Sequence, residues 1–412
     1  MKDKFLRLKY ACYGSNMSMS IVAGVTPLLL LTFRDMYGIS YSLLGLLIFI
    51  NFFTQLIIDL IFSFFSYKFD IAKVVKTTPI ITLVGLVLYA VLPTIFPQFA
   101  YAGLLIGTVI FSASCGLVEV LISPVIAAIP SENPELEMSK LHSVYAWGVV
   151  IVILISTVLL KLLGSERWPI IVFVLALIPL SSAILFSKSE VPKLETPKKL
   201  SGAVKFFKNP QVLLCLMAIF FGGAAENTME QWSSGYLEQA LGIPKIYGDI
   251  FGVALFCVML GLGRTLYAKY GKNIHRVIIF GAIGTVVCYA VSAFTPVPIL
   301  GLLACALSGF TTSMMWPGNL IIASNRFPES GVFIYAAMAA GGDFGASVAP
   351  QIVGLVADFA IANPKISAFA ESISLAPDQF GMKLGMLAGM FFPLIAIFIY
   401  LYNAKSSKRE EK

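Results

Sequence analysis

The sequence predicts an all-α membrane protein of 12 transmembrane helices in two pseudo-symmetric six-helix bundles. Three observations predict it. Of 412 residues, 58% are hydrophobic and only 12% charged, about half the charge density of an ordinary soluble chain. Apolar stretches long enough to span a bilayer, which takes roughly 20 residues, recur from end to end. A glycine–proline frame in the first half returns in the second at a fixed offset.

In chain order, the first half predicts helices near 8–32, 41–66, 77–96, 100–129, 141–163 and 167–187. Each reads as a helix because backbone N–H and C=O groups in hydrocarbon need partners within the segment. A polar stretch, SKSEVPKLETPKKLSGAVKFFKNP, then interrupts the apolar pattern. The second half predicts helices near 211–238, 246–269, 275–294, 298–324, 330–358 and 379–402. The domains are accordingly an N-terminal bundle (1–187), a basic linker (188–209) and a C-terminal bundle (210–412). The first apolar stretch is long and no small-residue cleavage site follows it, so it reads as a span and not as a cleaved signal.

Lysine and arginine placement sets the expected orientation. With both termini inside, 23 of the 29 basic residues fall on the cytoplasmic side, leaving Arg34, Lys161, Arg167, Lys245, Lys365 and Lys383 outside. The expected location is the plasma (cytoplasmic) membrane, multi-pass, with both termini cytoplasmic. The +7 net charge lies in short inter-helix loops, which argues against a nucleic-acid partner. Cys12, Cys115, Cys215, Cys257, Cys288 and Cys305 all fall inside predicted helices and read as packing residues. No zinc spacing, phosphate loop or nucleophile–base pair appears, and His142 and His275 have no motif partner. Neither an enzyme nor a bound cofactor is expected.

The repeat is specific. CGLVEVLISP places Gly116 eight residues before Pro124, and SGFTTSMMWP places Gly309 eight before Pro317, an offset of 193. The same offset maps Gly148 onto Gly341 and Ala146 onto Ala339. FSYKF (Tyr67, Lys68) after the second helix answers LYAKYG (Tyr267, Lys269, Gly271) after the eighth. Parallel six-helix repeats predict a mid-membrane cavity between them.

Six plus six helices around a basic central loop resembles the major facilitator superfamily of transporters. Where that superfamily carries a Gly-x-x-x-Asp-Arg-x-Gly-Arg motif, this chain has SFFSYKFD and GRTLYAKYG, with Tyr67 and Tyr267 at the place of the acid. Gly116, Glu119 and Pro124, followed by Leu141-His142, resemble the fucose–proton symporter branch, as does AGGDFGASVAP in the eleventh helix. The resemblance implies the major facilitator fold and sugar–proton symport. In that branch the fourth-helix glutamate pairs with an aspartate in the first helix. Here the first helix, YACYGSNMSMSIVAGVTP, holds no acid, so the pairing does not transfer.

A charge at the bilayer centre costs about 2.5–3.5 kcal/mol on insertion scales. Membrane-embedded acids should therefore face protein or water, where they can take and give protons as their surroundings change. Four are proton-coupling candidates: Glu119, Glu226, Asp343 and Asp59. Glu119 leads because it matches the branch motif; a structural acid is the competing reading. Glu226 and Glu230 lie one turn apart on the seventh helix, beside Asn227 and Gln231. This stripe reads as cavity lining or as helix–helix hydrogen bonding. Asp343 sits among glycines, where packing and function fit equally. Asp59 continues a stripe of Asn51 and Gln55 on the second helix, suiting a gate, a latch or a solute contact. Trp147, Trp232 and Trp316 offer flat apolar faces with an N–H donor, which suits sugar rings; packing or lipid contact competes. Asn16 and Asn319 would complete the lining. The expected solute-binding set is thus Asn16, Asn51, Gln55, Trp147, Asn227, Glu230, Gln231, Trp232, Trp316 and Asn319.

The sequence therefore predicts a secondary transporter moving a small polar solute, a sugar foremost, by alternating access with proton-coupled import. The rival is a proton-driven exporter of drugs or metabolites on the same fold. The expected partners are the solute, protons and the lipid bilayer, with the chain working as a monomer.

Overall fold

The structure is a computed structural model, and it describes residues 2–65, 68–131, 134–192, 208–327 and 332–410. Tyr67, most of the central linker and the His142 side chain lie outside the described residues.

The first half contains α1 (Lys2–Tyr37), α2 (Tyr41–Phe65), α3 (Ile71–Ile95), α4 (Ala100–Ala127), α5 (Pro134–Leu163) and α6 (Trp168–Ser187). The second contains α7 (Pro210–Leu241), α8 (Leu255–Tyr270), α9 (Ile274–Phe294), α10 (Pro298–Thr312), α11 (Pro317–Arg326), α12 (Val332–Ala362), α13 (Pro364–Ser372) and α14 (Pro377–Glu410). Among the described residues, twelve helical spans are long and apolar enough to cross a membrane. Two features escaped the sequence reading. The tenth span is broken into α10 and α11 by a turn at Ser313–Trp316. A short helix, α13, also lies between the last two spans. A π-helical turn, Gly248–Ala254, leads into α8.

Helix packing repeats between the halves. In the first, span one packs on spans four, five and six, and span three on four and six. In the second, span seven packs on spans ten, eleven and twelve, and span nine on ten and twelve. The repeated glycine–proline frame therefore encodes one bundle used twice. Helix pairs approach closely where a side chain is missing, as is usual without a hydrophobic drive between helices. Gly85 of α3 faces Phe111 of α4, and Gly107 of α4 faces Tyr89 of α3; a Cβ at 107 would lie 2.5 Å from Tyr89 Cβ. Small polar residues tie α1 down: Ser20 Oγ donates to the Tyr145 carbonyl (2.9 Å) and Ser182 Oγ to the Ala11 carbonyl (2.7 Å). Large apolar side chains stay exposed along the outward faces, as in Leu300, Leu303 and Leu307. At helical spacing this is a lipid face. The six cysteines form no disulfide among the described residues, and five of them are buried. Trp168 is fully buried against Phe33 and Tyr89.

By contacts the chain divides into two units, Met1–Tyr37 with Ile50–Ser201, and Gly38–Phe49 with Gly202–Lys412. The start of α2 thus packs with the second unit. There Asp358 of α12 accepts the Tyr41 and Ser42 backbone N–H groups at 3.1 and 2.6 Å. These are first-turn donors that no helix can satisfy for itself, and the helix dipole favours an anion at that end.

Glu137, before the membrane-spanning part of α5, accepts from Lys9 at 2.9 Å and Lys140 at 3.3 Å. The Lys9 hydrogen bond foremost, then Lys140, holds its carboxyl below the usual glutamate range. The tie therefore stabilises above about pH 4.3, the ordinary glutamate value, and is lost as pH falls through the lowered value. Thermal unfolding in detergent should show Glu137→Gln melting below wild type at pH 6, the gap closing on acidification below about pH 4. A gap that stays constant would exclude the ion pair as its source. In the second unit, Asp358→Ala should cost about 0.5–2 kcal/mol, the usual range for a lost helix cap, with Asp358→Asn losing less. Equal losses in the two variants would mean that the cap is not what Asp358 supplies.

Candidate functional site

In the first unit the polar groups inside the membrane spans gather between α2 and α4. Asn51 Oδ1 accepts from Gln55 Nε2 (3.1 Å) on its own helix and from Ser112 Oγ (2.6 Å) of α4. One turn beyond Gln55, Asp59 is buried at 5% exposure, and one of its carboxylate oxygens lies within 4.8 Å of a Glu119 oxygen. Gly116 makes that approach possible. A Cβ there would stand 2.8 Å from Asp59 Oδ1 and 2.9 Å from the Gln55 carbonyl oxygen. The glycine of the fourth-helix motif thus seats the second acid beside the motif's own glutamate. The sequence named both acids without joining them. The first helix lacks an aspartate, and the second helix supplies one.

Two other candidates of this unit are placed differently. Asn16 is buried and donates from Nδ2 to the Leu141 carbonyl at 2.6 Å, pinning α1 to α5. Trp147 is 65% exposed on α5 and makes no hydrogen bond among the described residues.

In the second unit the centre is an ion pair. Arg264 Nη2 donates to Glu226 Oε1 at 3.0 Å, and Arg264 Nε donates to the Ser313 carbonyl at 3.1 Å. The second contact follows from the sequence by subtraction. A helical residue 317 would donate its N–H to the carbonyl of residue 313, but Pro317 has no N–H. The chain turns at Ser313–Trp316, the Ser313 carbonyl is left without that donor, and the guanidinium takes it. Arg264 lies inside the predicted helix 246–269 and is one of the 23 basic residues on the expected cytoplasmic side. The signal that could have found it was its place inside the apolar run LFCVMLGLGRTLYAKY, together with a proline in a facing span. Glu226 is buried at 6% exposure, and its Oε2 has no hydrogen-bond partner among the described residues. Glu230, one turn on, is half-buried.

The remaining candidates of this unit mostly serve the bundle. Trp232 is fully buried, donates from Nε1 to the Pro350 carbonyl at 2.9 Å, and meets Tyr41 edge to face. Asn319 Nδ2 reaches the Met315 and Ala218 carbonyls at 2.6 and 3.2 Å and the Tyr400 hydroxyl at 3.0 Å, closing the break below Trp316. Asn227 Nδ2 donates to the Gly223 carbonyl of its own helix at 3.1 Å. The Trp316 ring occupies the space left by Gly342 and Gly223, so the glycines beside Asp343 serve an indole as well as a backbone. Asp343 itself is buried. Gln231 is buried with no hydrogen bond among the described residues.

The comparisons agree with this architecture. The Major Facilitator Superfamily profile matches residues 11–350. No curated protein sequence matches the chain. Among solved structures, a bacterial homologue of the human lysosomal transporter Spinster, in an inward-facing and occupied conformation, superposes with a TM-score of 0.72 at 14% identity, covering 97% of this chain and 96% of that one. A D-xylose–proton symporter gives 0.70 at 14%, covering 94% and 97%. The E. coli fucose:proton symporter gives 0.55 at 15%, covering 95% and 99%. At these identities the likeness is one of fold. The profile match over most of the chain, joined to twelve spans and a doubled bundle, shows that this chain belongs to the Major Facilitator Superfamily and is a multi-pass membrane transporter.

Proposed function

We propose that the chain imports a small polar solute together with protons, by alternating access in the plasma membrane, with both termini cytoplasmic. The observation that carries this reading is the juxtaposition of Asp59 and Glu119 inside the membrane-spanning part of the first unit. Two carboxylates so close repel each other when both are ionised, and one proton held between them removes the repulsion. Asp59 is buried and Glu119 exposed, and the low dielectric on the Asp59 side strengthens that preference, since the Coulomb energy scales inversely with the dielectric constant. Proton binding then differs between a state that keeps the acids together and one that separates or hydrates them. A ligand moves a conformational equilibrium only by such a difference. The basic bias of the predicted inner loops supports the orientation, and the positions of the acids support protons as the coupling ion. The xylose and fucose symporters among the similar folds are in keeping with a sugar-sized cargo.

The coupling is tested in proteoliposomes with an imposed inward proton gradient. Wild-type protein should accumulate solute above the outside concentration. Glu119→Gln should keep solute exchange across the membrane but lose gradient-driven accumulation, and Asp59→Asn should weaken it. Uptake indifferent to the gradient, or full coupling in Glu119→Gln, would defeat the proposal. Solute moved outward against the gradient would instead favour a proton-driven exporter.

Gly116 gives an independent check on the pairing. Gly116→Val places carbon where Asp59 and the Gln55 carbonyl now sit, an overpacking worth about 1–3 kcal/mol. The expected outcome is a lower melting temperature together with lost coupling. Unchanged coupling in a folded Gly116→Val protein would show that the contact between the two acids is dispensable.

A further inference from the structure

The polar groups of the second unit are unequally free. The amides and the indole that could hold sugar hydroxyls are largely taken up by the protein. Asn319 bridges three of its own groups, Asn227 bonds its own helix, and Trp232 bonds the Pro350 carbonyl. The Gln231 amide and Asn319 Oδ1 keep unused capacity but are buried, at 2% and 1% exposure; the group that is both open and exposed is a charge. Arg264 is 43% exposed at its side chain. Its Nε and Nη2 are engaged, and its Nη1 makes no hydrogen bond among the described residues. Facing it, the buried Glu226 uses one carboxylate oxygen and leaves the other without a partner. A guanidinium presents donors in a planar fork that suits a carboxylate. Here the fork is braced on one side by the Ser313 carbonyl at the helix break and offers its remaining edge. Other titratable groups near Glu226 are Glu230 on α7, Cys257 on α8 and Tyr400 on α14, which is committed to Asn319 and the Ala218 carbonyl; the helix packed along α7, α12, carries Asp343.

We propose that Arg264 receives the acidic group of an anionic solute, a hydroxylated carboxylate of sugar size, and that Glu226 yields its place by taking a proton. The exchange balances. The Glu226 carboxylate gains one proton and becomes a neutral carboxyl, its hydrogen bond to Nη2 is given up, and the solute's carboxylate takes that position. Arg264 keeps one anionic partner throughout, so the loaded site carries the same net charge as the empty one. Within this site one proton is exchanged per monoanion and the net charge is unchanged; the proton on the Asp59–Glu119 pair is additional, so the fully loaded carrier takes one positive charge inward. This deepens the proposed function by naming the substrate class, and it rests on that reading of a proton-coupled importer.

The test reconstitutes the full chain and compares sugars with their own acids: D-glucose with D-glucuronate, and D-galactose with D-galacturonate. Under an inward proton gradient the uronates should enter at least about tenfold faster than their parent sugars, since a hydrogen bond between charged groups is worth that much. With the Asp59–Glu119 proton included, one net positive charge enters per uronate, so an inside-negative membrane potential should speed their uptake. Arg264→Gln should remove uronate uptake. Arg264→Lys, which keeps the charge but not the fork, should lower it, with melting temperatures confirming that both variants fold. Glu226→Gln should still bind uronate by thermal shift while losing the pH dependence of binding. Parent sugars entering as fast as their acids, or uronate uptake intact in folded Arg264→Gln, would overturn the anion site and leave proton-coupled sugar import standing. Gradient-independent uptake of every solute would overturn the importer reading itself. No uptake of either class by folded protein would overturn both.

Discussion

Everything in this protein answers to one constraint: inside hydrocarbon, a backbone polar group or a charge must find its partner within the protein. Twelve helices satisfy it for most of the chain, and the informative places are those where helix geometry fails. Pro317 withholds a donor and leaves the Ser313 carbonyl open, which Arg264 closes at 3.1 Å. The start of α2 leaves its first N–H groups unpaired, and Asp358 takes two of them. Beyond α9, Lys383 Nζ donates to the Thr295 carbonyl at 2.7 Å. In each case a long or charged side chain from another helix repairs the gap. The repair fixes that side chain in space, so the gaps in the backbone decide where charge sits.

The same constraint separates the two halves. They share their helix pairings and their glycine–proline frame, yet the residues carried on that frame differ. Glu119 has Thr312 as its counterpart at the 193 offset, and Thr312 turns its hydroxyl back to the Ser308 carbonyl of its own helix. Pro124 leaves α4 continuous, whereas Pro317 coincides with a break. The first half thus presents two acids together, and the second an acid with a guanidinium. A pair of like charges responds to a proton. An ion pair responds to a competing ion. The frame is duplicated while the chemistry is divided.

Span number, repeat and membrane character were legible in the sequence because they rest on hydropathy and on glycine spacing, both of which are local quantities. The candidate acids were legible for the same reason: an ionised group in an apolar run stands out. Their partnerships were not. Asp59 meets Glu119 through the missing side chain of Gly116, a fact of helix approach that no spacing within one helix records. Trp232 and Asn319 looked like lining because their residue types suit a sugar, yet both are consumed by carbonyls far away in sequence, at Pro350 and Ala218. Arg264 did not stand apart from the other inner-side cations because lysines and an arginine follow it closely.

The distinction between committed and uncommitted polar groups therefore matters more for function than residue type. An amide already bonded to two carbonyls offers little to a solute, since using it would expose those carbonyls to hydrocarbon at a cost comparable to the bond gained. A charged group that keeps an open edge has no such debt. Its existing partner holds it in place, and the open edge is free to select. In the second unit that group is Arg264, held by a carbonyl that cannot leave and by a carboxylate that can. On the proposed reading, a binding group anchored on one side by backbone and on the other by a titratable acid ties solute entry to proton uptake at one residue.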